Sequence, residues 1–231
     1  MQILPNIYLL NGFAFGVHVN FYLVHSKGGN IVIDTGIIQA DIERAQEYMK
    51  TWDIALERID YVMLTHSHYD HAGNAALLKK MGARVLAGPG DAEGIERSDS
   101  RTIPYAEGLK IPPCKVDRVV SDGESVDACG YRFEILHVPG HTNGSVIYQL
   151  RHCNRIIWFS GDLFFAKDMD YTPELGWQGG EEFNADVYIR SLKRLSGMHV
   201  DCVLAGHDLP CLDGAHRLVG HAYSKALIEL R

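Results

Sequence analysis

Tyr61-Val62-Met63-Leu64-Thr65-His66-Ser67-His68-Tyr69-Asp70-His71-Ala72-Gly73-Asn74 is the stretch on which the rest of the chain is organised. Tyr61 to Thr65 carries the apolar and β-branched content of a buried strand. His66, His68, Asp70 and His71 follow within six positions, and Ala72 to Met81 then reads as a helix closed by Gly82. A strand that empties into polar residues and passes into helix is where an α/β layer builds sites, because the turn is held from both sides. Imidazole nitrogen and carboxylate oxygen are the ligands a zinc-like divalent ion prefers. His66 and His68 point the same way while the chain stays extended, and Asp70 and His71, placed in the turn, can face a second position. The plain alternative is a polar loop with chance histidines, but four such residues in six positions argue against it.

Further short motifs follow in order: Val138-Pro139-Gly140-His141-Thr142, Ser160-Gly161-Asp162 and Ala205-Gly206-His207-Asp208, with Ile31-Val32-Ile33-Asp34-Thr35-Gly36 ahead of them all. Together with His-x-His-x-Asp-His they resemble the motif series of the metallo-β-lactamase superfamily, and they span Asp34 to His207, most of the chain. The resemblance implies an α/β fold of four layers, an αββα sandwich of two packed mixed sheets with helices outside. Residues 1–231 are expected to form a single domain of this kind.

Composition fits such a domain. Hydrophobic residues make up 46% and charged residues 22%, enough to bury a sizeable core. A net charge of −7 and a pI near 5.9 argue against a nucleic-acid surface. No apolar run reaches the roughly 18 residues of a membrane helix. The start, Met1 to Tyr8, lacks the basic and apolar regions of a signal peptide, so the expected location is cytoplasmic. The five cysteines, Cys114, Cys129, Cys153, Cys202 and Cys211, form no Cys-x-x-Cys pair and read as free thiols. Cys202 reads as core; Cys211, four residues after His207, is a candidate for the edge of the site.

In chain order, Ile3 to Leu10, Val17 to His25 and Ile31 to Asp34 read as strands of a meander, and Ile38 to Lys50 as an amphipathic helix. After the central motif come a strand at Arg84 to Ala87 and a helix at Pro89 to Glu96. Gly94 to Lys115 and Leu163 to Glu182 lack periodicity; both are expected to flank the site as substrate-binding loops. Between them Val116 to Val120, Glu124 to Val126, Tyr131 to His137, and a hairpin of Ser145 to Leu150 with Arg155 to Ser160 restart the strand pattern. A helix at Asn184 to Ser196, a strand at Asp201 to Ala205 and a helix at Gly214 to Leu230 complete the chain.

Carried over by resemblance, His66, His68 and His141 would hold one divalent ion, and Asp70, His71 and His207 a second, with Asp162 bridging. That implies two ions, zinc foremost, with iron or manganese as alternatives. Two ions about 3.5–4 Å apart would share a hydroxide, and one ion would stabilise the oxyanion that forms. Asp70 could orient that nucleophile or take its proton. Asp34 is expected behind the site, either accepting the second N–H of a ligand or closing its own turn. His25, His152, His199, His216 and His221 read as solvated and His137 as a structural neighbour of the third motif, while His18 could edge the pocket.

The resemblance implies a metal-dependent hydrolase acting on an ester-like carboxyl bond of a small molecule, a thioester or a lactone. Phe165 stands where acyl-homoserine-lactone lactonases carry tyrosine, which weakens the lactone reading. The helical C-terminal extension by which glyoxalase II enzymes hold glutathione is not matched by the single helix after His207. Lys167, Lys193 and Arg194 could stand in for its basic residues, and Trp177, Tyr171 and Tyr105 could line an apolar pocket. The aspartate in the bridging position argues against a true β-lactamase. Two other readings stay open: an iron oxygenase like the persulfide dioxygenases, with His66, His141 and Asp162 on one iron, and a metal-bearing signalling or binding protein. A homodimer is compatible with all of these.

Overall fold

The computed structural model describes residues 1–12, 19–54, 59–104 and 110–231. Among these the chain opens as an antiparallel meander of β1 (Gln2–Leu4), β2 (Ile7–Asn11), β3 (Phe21–Ser26) and β4 (Gly29–Ile33). The single strand expected over Ile3 to Leu10 is divided by Pro5-Asn6, with Asn6 turning at φ 59°. After α1 (Gln39–Lys50), the strands β5 (Ile59–Met63), β6 (Arg84–Ala87) and β7 (Arg118–Val119) add in parallel, giving a sheet ordered β1-β2-β3-β4-β5-β6-β7. Parallel strands are covered on both faces, which is why Val62, Met63 and Leu64 form an unbroken apolar run.

The helix expected over Ala72 to Met81 is two helices, α2 (Tyr69–Ala72) and α3 (Ala75–Lys80). The break has a cause: the Gly73 N–H donates to Gly36 O (3.1 Å) and the Asn74 N–H to Thr35 Oγ1 (3.0 Å), both in the loop after β4. Asp70 and His71 therefore lie on α2 rather than in an open turn. The helix α4 (Asp91–Arg97) follows β6.

The second sheet is built from β8 (Ser125–Ala128), β9 (Tyr131–His137), β10 (Val146–His152) and β11 (Arg155–Gly161), antiparallel to one another. Leu163 to Glu182, expected to be irregular, contains a two-stranded ribbon, β12 (Phe164–Ala166) with β13 (Pro173–Leu175). Then α5 (Ala185–Ser196) crosses over to β14 (Cys202–Ala205), which lies parallel to β11 at the sheet edge, and α6 (Ala215–Glu229) closes the fold. The order is β14-β11-β10-β9-β8.

Alternation along the strands sorts the core into three layers. Tyr22, Ile31, Ile33, Met63, Tyr148 and Phe159 pack between the two sheets. Their strand neighbours Leu23, Val32 and Val62 face Ile42, Met49 and Leu78 of α1 and α3. On the far side Ile147, Trp158 and Val203 face Tyr188, Leu192 and Leu218 of α5 and α6. Helix, sheet, sheet and helix follow in that order. Each such large side chain contributes roughly 1.5–3 kcal/mol by leaving water, so the layering is strongly specified. No helix among the described residues is long and apolar enough to cross a membrane.

Candidate metal centre

The seven residues named as ligands arrive from both sheets, each just beyond a strand. His66 and His68 leave β5, with Asp70 and His71 on the short α2; His141 follows β9, Asp162 follows β11 and His207 follows β14. Gly140, at φ 132°, gives the His141 loop its shape; a Cβ there would drive into the backbone of Tyr188.

The side chains meet in two groups, each with its donor atoms within 4.8 Å of one another: His66, His68 and His141; and Asp70, His71, Asp162 and His207. In the first, His68 Nδ1 and His141 Nε2 are 3.0 Å apart. In the second, Asp162 Oδ1 is 3.1 Å from His71 Nε2, and Asp162 Oδ2 is 3.1 Å from His207 Nε2. Asp70 Oδ2 lies 3.7 Å from His71 Nε2 and 3.4 Å from His207 Nε2. Asp162 Oδ2 also faces the first group, 4.0 Å from His66 Nε2 and 3.9 Å from His141 Nε2. Asp162 stands between the groups.

Three of the ring nitrogens turned away from this centre have partners, those of His141, His71 and His66. His141 Nδ1 lies 3.0 Å from Trp177 O. A carbonyl only accepts, so the proton is on Nδ1 and the Nε2 lone pair points inward. His71 Nδ1 lies 2.9 Å from Asp34 Oδ2. Asp34 also accepts from the Thr65 N–H (2.8 Å) and the Thr65 hydroxyl (2.8 Å), and Thr65 Oγ1 is 3.0 Å from His66 Nδ1. One buried carboxylate thus orients a histidine of each group, the arrangement that raises ligand basicity and fixes ring direction.

Charge divides the groups. Burial holds the imidazoles of His66 and His68 well below the usual histidine range and also lowers His141. Burial acts on His71 in the same sense but is outweighed by Asp162, Asp70 and Asp34, which hold it well above that range. His207, likewise surrounded, is raised to about 10. Burial opposes ionisation of Asp162, yet His207 and His71 keep its carboxyl well below the usual carboxylate range.

The residues fit divalent ions. Among the described residues, His66 Nε2, His71 Nε2 and Asp162 Oδ1 are buried without a hydrogen-bond partner, although His71 Nε2 and Asp162 Oδ1 lie 3.1 Å apart. Desolvated polar atoms left this way are costly unless something else satisfies them. Imidazoles and carboxylates converging on two points are the donor set of zinc-like ions.

A cleft of 550 Å³ opens onto the centre, lined among others by Asp162, Phe165, Leu175, Gly176, Trp177 and His207. The Phe165 ring stands 5.1 Å from that of His207, and the Trp177 ring, 43% exposed, 6.4 Å from that of His68. Gly176 allows the ribbon to close down, since a Cβ there would strike Asp162 O. The segment after Asp162 therefore walls the site. The described residues of the other expected wall contribute less. The Ser67 hydroxyl donates to Arg101 O (3.2 Å) and the Ser100 hydroxyl to Glu181 (2.6 Å), but Lys110, Ile111 and Pro112 line a separate groove with Ile37 and Leu77.

Tyr171 packs on the outer core of the second sheet rather than lining the cleft. Cys211 is buried in that same core, its thiol donating to Asp213 O (3.3 Å), and does not border the site. Lys167 pairs with Glu174 (3.7 Å) and Arg194 with Asp122 (2.9 Å), while Lys193 is exposed. His137 is bound to Asn143 O (2.9 Å). His18 and Tyr105 lie outside the described residues. Thr65, Tyr188 and Asp91 are buried at the centre's margins and were not singled out by the sequence. For Asp91 the available signal was an acidic residue opening a helix after Gly88-Pro89-Gly90.

A family model described as the metallo-beta-lactamase superfamily matches residues 14–207. Hydroxyacylglutathione hydrolase of Pseudomonas paraeruginosa is 38% identical over 110 residues, covering 47% of this chain and 34% of that one. The match thus spans about a third of that relative's length. Acyl-coenzyme A thioesterase MBLAC2 of Gallus gallus is 27% identical over 232 residues, covering 91% of this chain and 80% of that one. Among solved structures, a metallo-beta-lactamase with a HARLDQ motif from Cronobacter sakazakii superposes with a TM-score of 0.80 at 21% identity, covering 100% of this chain and 93% of that one. A subclass B3 metallo-beta-lactamase of Bradyrhizobium japonicum gives 0.76 at 20% identity, covering 100% and 96%. At that identity the likeness is one of fold.

Proposed function

The chain belongs to the metallo-beta-lactamase superfamily, and from that premise we propose that it is a two-ion hydrolase of thioesters. In this reading His66, His68 and His141 would hold one divalent ion and Asp70, His71 and His207 the other, with the Asp162 carboxylate available to both. Zinc is the leading candidate. Residues 1–231 act as one domain, because the donors come from both sheets.

The observation that carries the reading is the position of Asp162, with one oxygen 3.1 Å from His71 and the other between His207 and the His66–His141 pair. When bound, two such ions supply nucleophilic water at neutral pH and positive charge against the developing oxyanion. The protein's own groups do the rest. Asp70, beside His71 and His207, orients the attacking water and can take its proton. Phe165, Leu175 and Trp177 offer an apolar wall for an acyl group. A thiol with a pKa of about 8.5 departs as thiolate, so thioester cleavage asks for an activated nucleophile more than for a general acid.

The relatives support this carrier chemistry: one is named an acyl-coenzyme A thioesterase and others hydroxyacylglutathione hydrolases, both names describing acyl groups on thiols. An iron oxygenase would draw on a narrower set, His66, His141 and Asp162. A panel of glutathione and coenzyme A thioesters, lactones and phosphoesters, run beside an oxygen electrode, separates the readings. Thioesters are expected to exceed the other classes in kcat/KM by about tenfold or more, equivalent to about 1.4 kcal/mol of transition-state stabilisation. Oxygen uptake on a persulfide with no thioester turnover would overturn the proposal.

A further inference from the structure

Asp91, the first residue of α4, is completely buried and has no part in the reaction outlined above. Its Oδ2 accepts from the Ser67 N–H (2.8 Å), between His66 and His68, and from the Thr142 hydroxyl (2.8 Å), next to His141. Its Oδ1 accepts from the Gly144 N–H (2.7 Å). The Thr142 hydroxyl is in turn 2.6 Å from Ser145 Oγ. All three donors to Asp91 are uncharged. Burial pushes the carboxyl up to about 7, against the lowering effect of these hydrogen bonds. Two loops from two different sheets are thus fastened to one carboxylate. Asp34 holds His71 directly and His66 through Thr65; among the described residues it makes no hydrogen bond to the His141 loop.

We infer that Asp91 is a positioning residue for the first ion: by clamping the Ser67 and Gly144 backbones and the Thr142 hydroxyl it sets the distance from the His66–His68 pair to His141. It touches neither ion nor substrate, and the inference rests on the two-ion reading of the site. Outer groups that orient ligands typically govern about 10–100-fold in metal affinity. Asp91→Asn keeps the side-chain shape but cannot keep the clamp. Whichever way the amide turns, its NH2 confronts either the Ser67 or the Gly144 N–H.

The test uses full-length protein in two backgrounds. His207→Ala keeps the three-histidine set, and His141→Ala keeps the Asp70–His71–Asp162 set. Zinc is titrated into each against a chromophoric chelator, with and without Asp91→Asn. In the first background the substitution is expected to weaken zinc binding about 10–100-fold; in the second, affinity is expected to stay within about twofold. Equal weakening in both would mean that Asp91 merely supports the fold, and overturns the inference. Unchanged affinity in the first background overturns it too, while leaving the two-ion reading intact. If His207→Ala alone binds no zinc, both fall. Should Asp91→Asn not fold, Thr142→Val removes one bond of the clamp and is expected to give a smaller loss, about 3–10-fold, in the first background only.

Discussion

A histidine ligates through a nitrogen that carries no proton, so the charge at each imidazole decides what an entering ion must displace. Burial keeps His66, His68 and His141 neutral at pH 7. His71 and His207, held above their ordinary range by Asp162 and its neighbours, are charged in the metal-free protein. Because their folded-state values are raised, protons compete with metal there at neutral pH and more strongly as pH falls. Calorimetry in buffers of different ionisation enthalpy is expected to find about two more protons released by the ion entering the Asp70–His207 group than by the other. Equal release from both would contradict this division. Of these residues, the spacing of His66, His68, Asp70 and His71 marked them as metal-type residues, while His141, Asp162 and His207 were marked only by the resemblance of their motifs. Asp91 was not legible as a site residue: its partners lie 24, 51 and 53 residues away, and no local pattern encodes such a meeting.

At the scale of elements, periodicity located the major strands and helices but missed what tertiary hydrogen bonds impose. The helix after the central motif breaks because Gly73 and Asn74 bond to the loop after β4. The ribbon of β12 and β13 has strands too short to carry an alternation signal, yet it walls the cleft. Tyr188 of α5 fixes that ribbon: its buried hydroxyl donates to Leu163 O and accepts from the Gly176 N–H (3.1 Å). Tyr188→Phe leaves both groups unpaired, at about 1–3 kcal/mol. Thermal unfolding should show a loss of about 2–4 °C for each kcal/mol. Activity is expected to fall more than zinc content, since Gly176 packs against Asp162 while the ligands themselves remain. An unchanged melting temperature would argue that the hydroxyl is not needed there.

At the scale of the molecule, alternating strands and amphipathic helices implied layered α/β architecture, and the motif order implied which one. Sheet order is different: that β14 crosses back to pair with β11, and β7 with β6, is set by long-range packing. That packing makes the site, because His66, His68, Asp70 and His71 come from one sheet and His141, Asp162 and His207 from the other. A complete donor set exists only when the two halves are closed on each other. The central claim is that this set works with two ions on a thioester. Its most direct test is to titrate metal-free protein with zinc while following hydrolysis of its best thioester. The account predicts that the rate climbs to a plateau at about two equivalents per chain. A plateau at one equivalent, or no hydrolysis at any loading, would contradict it.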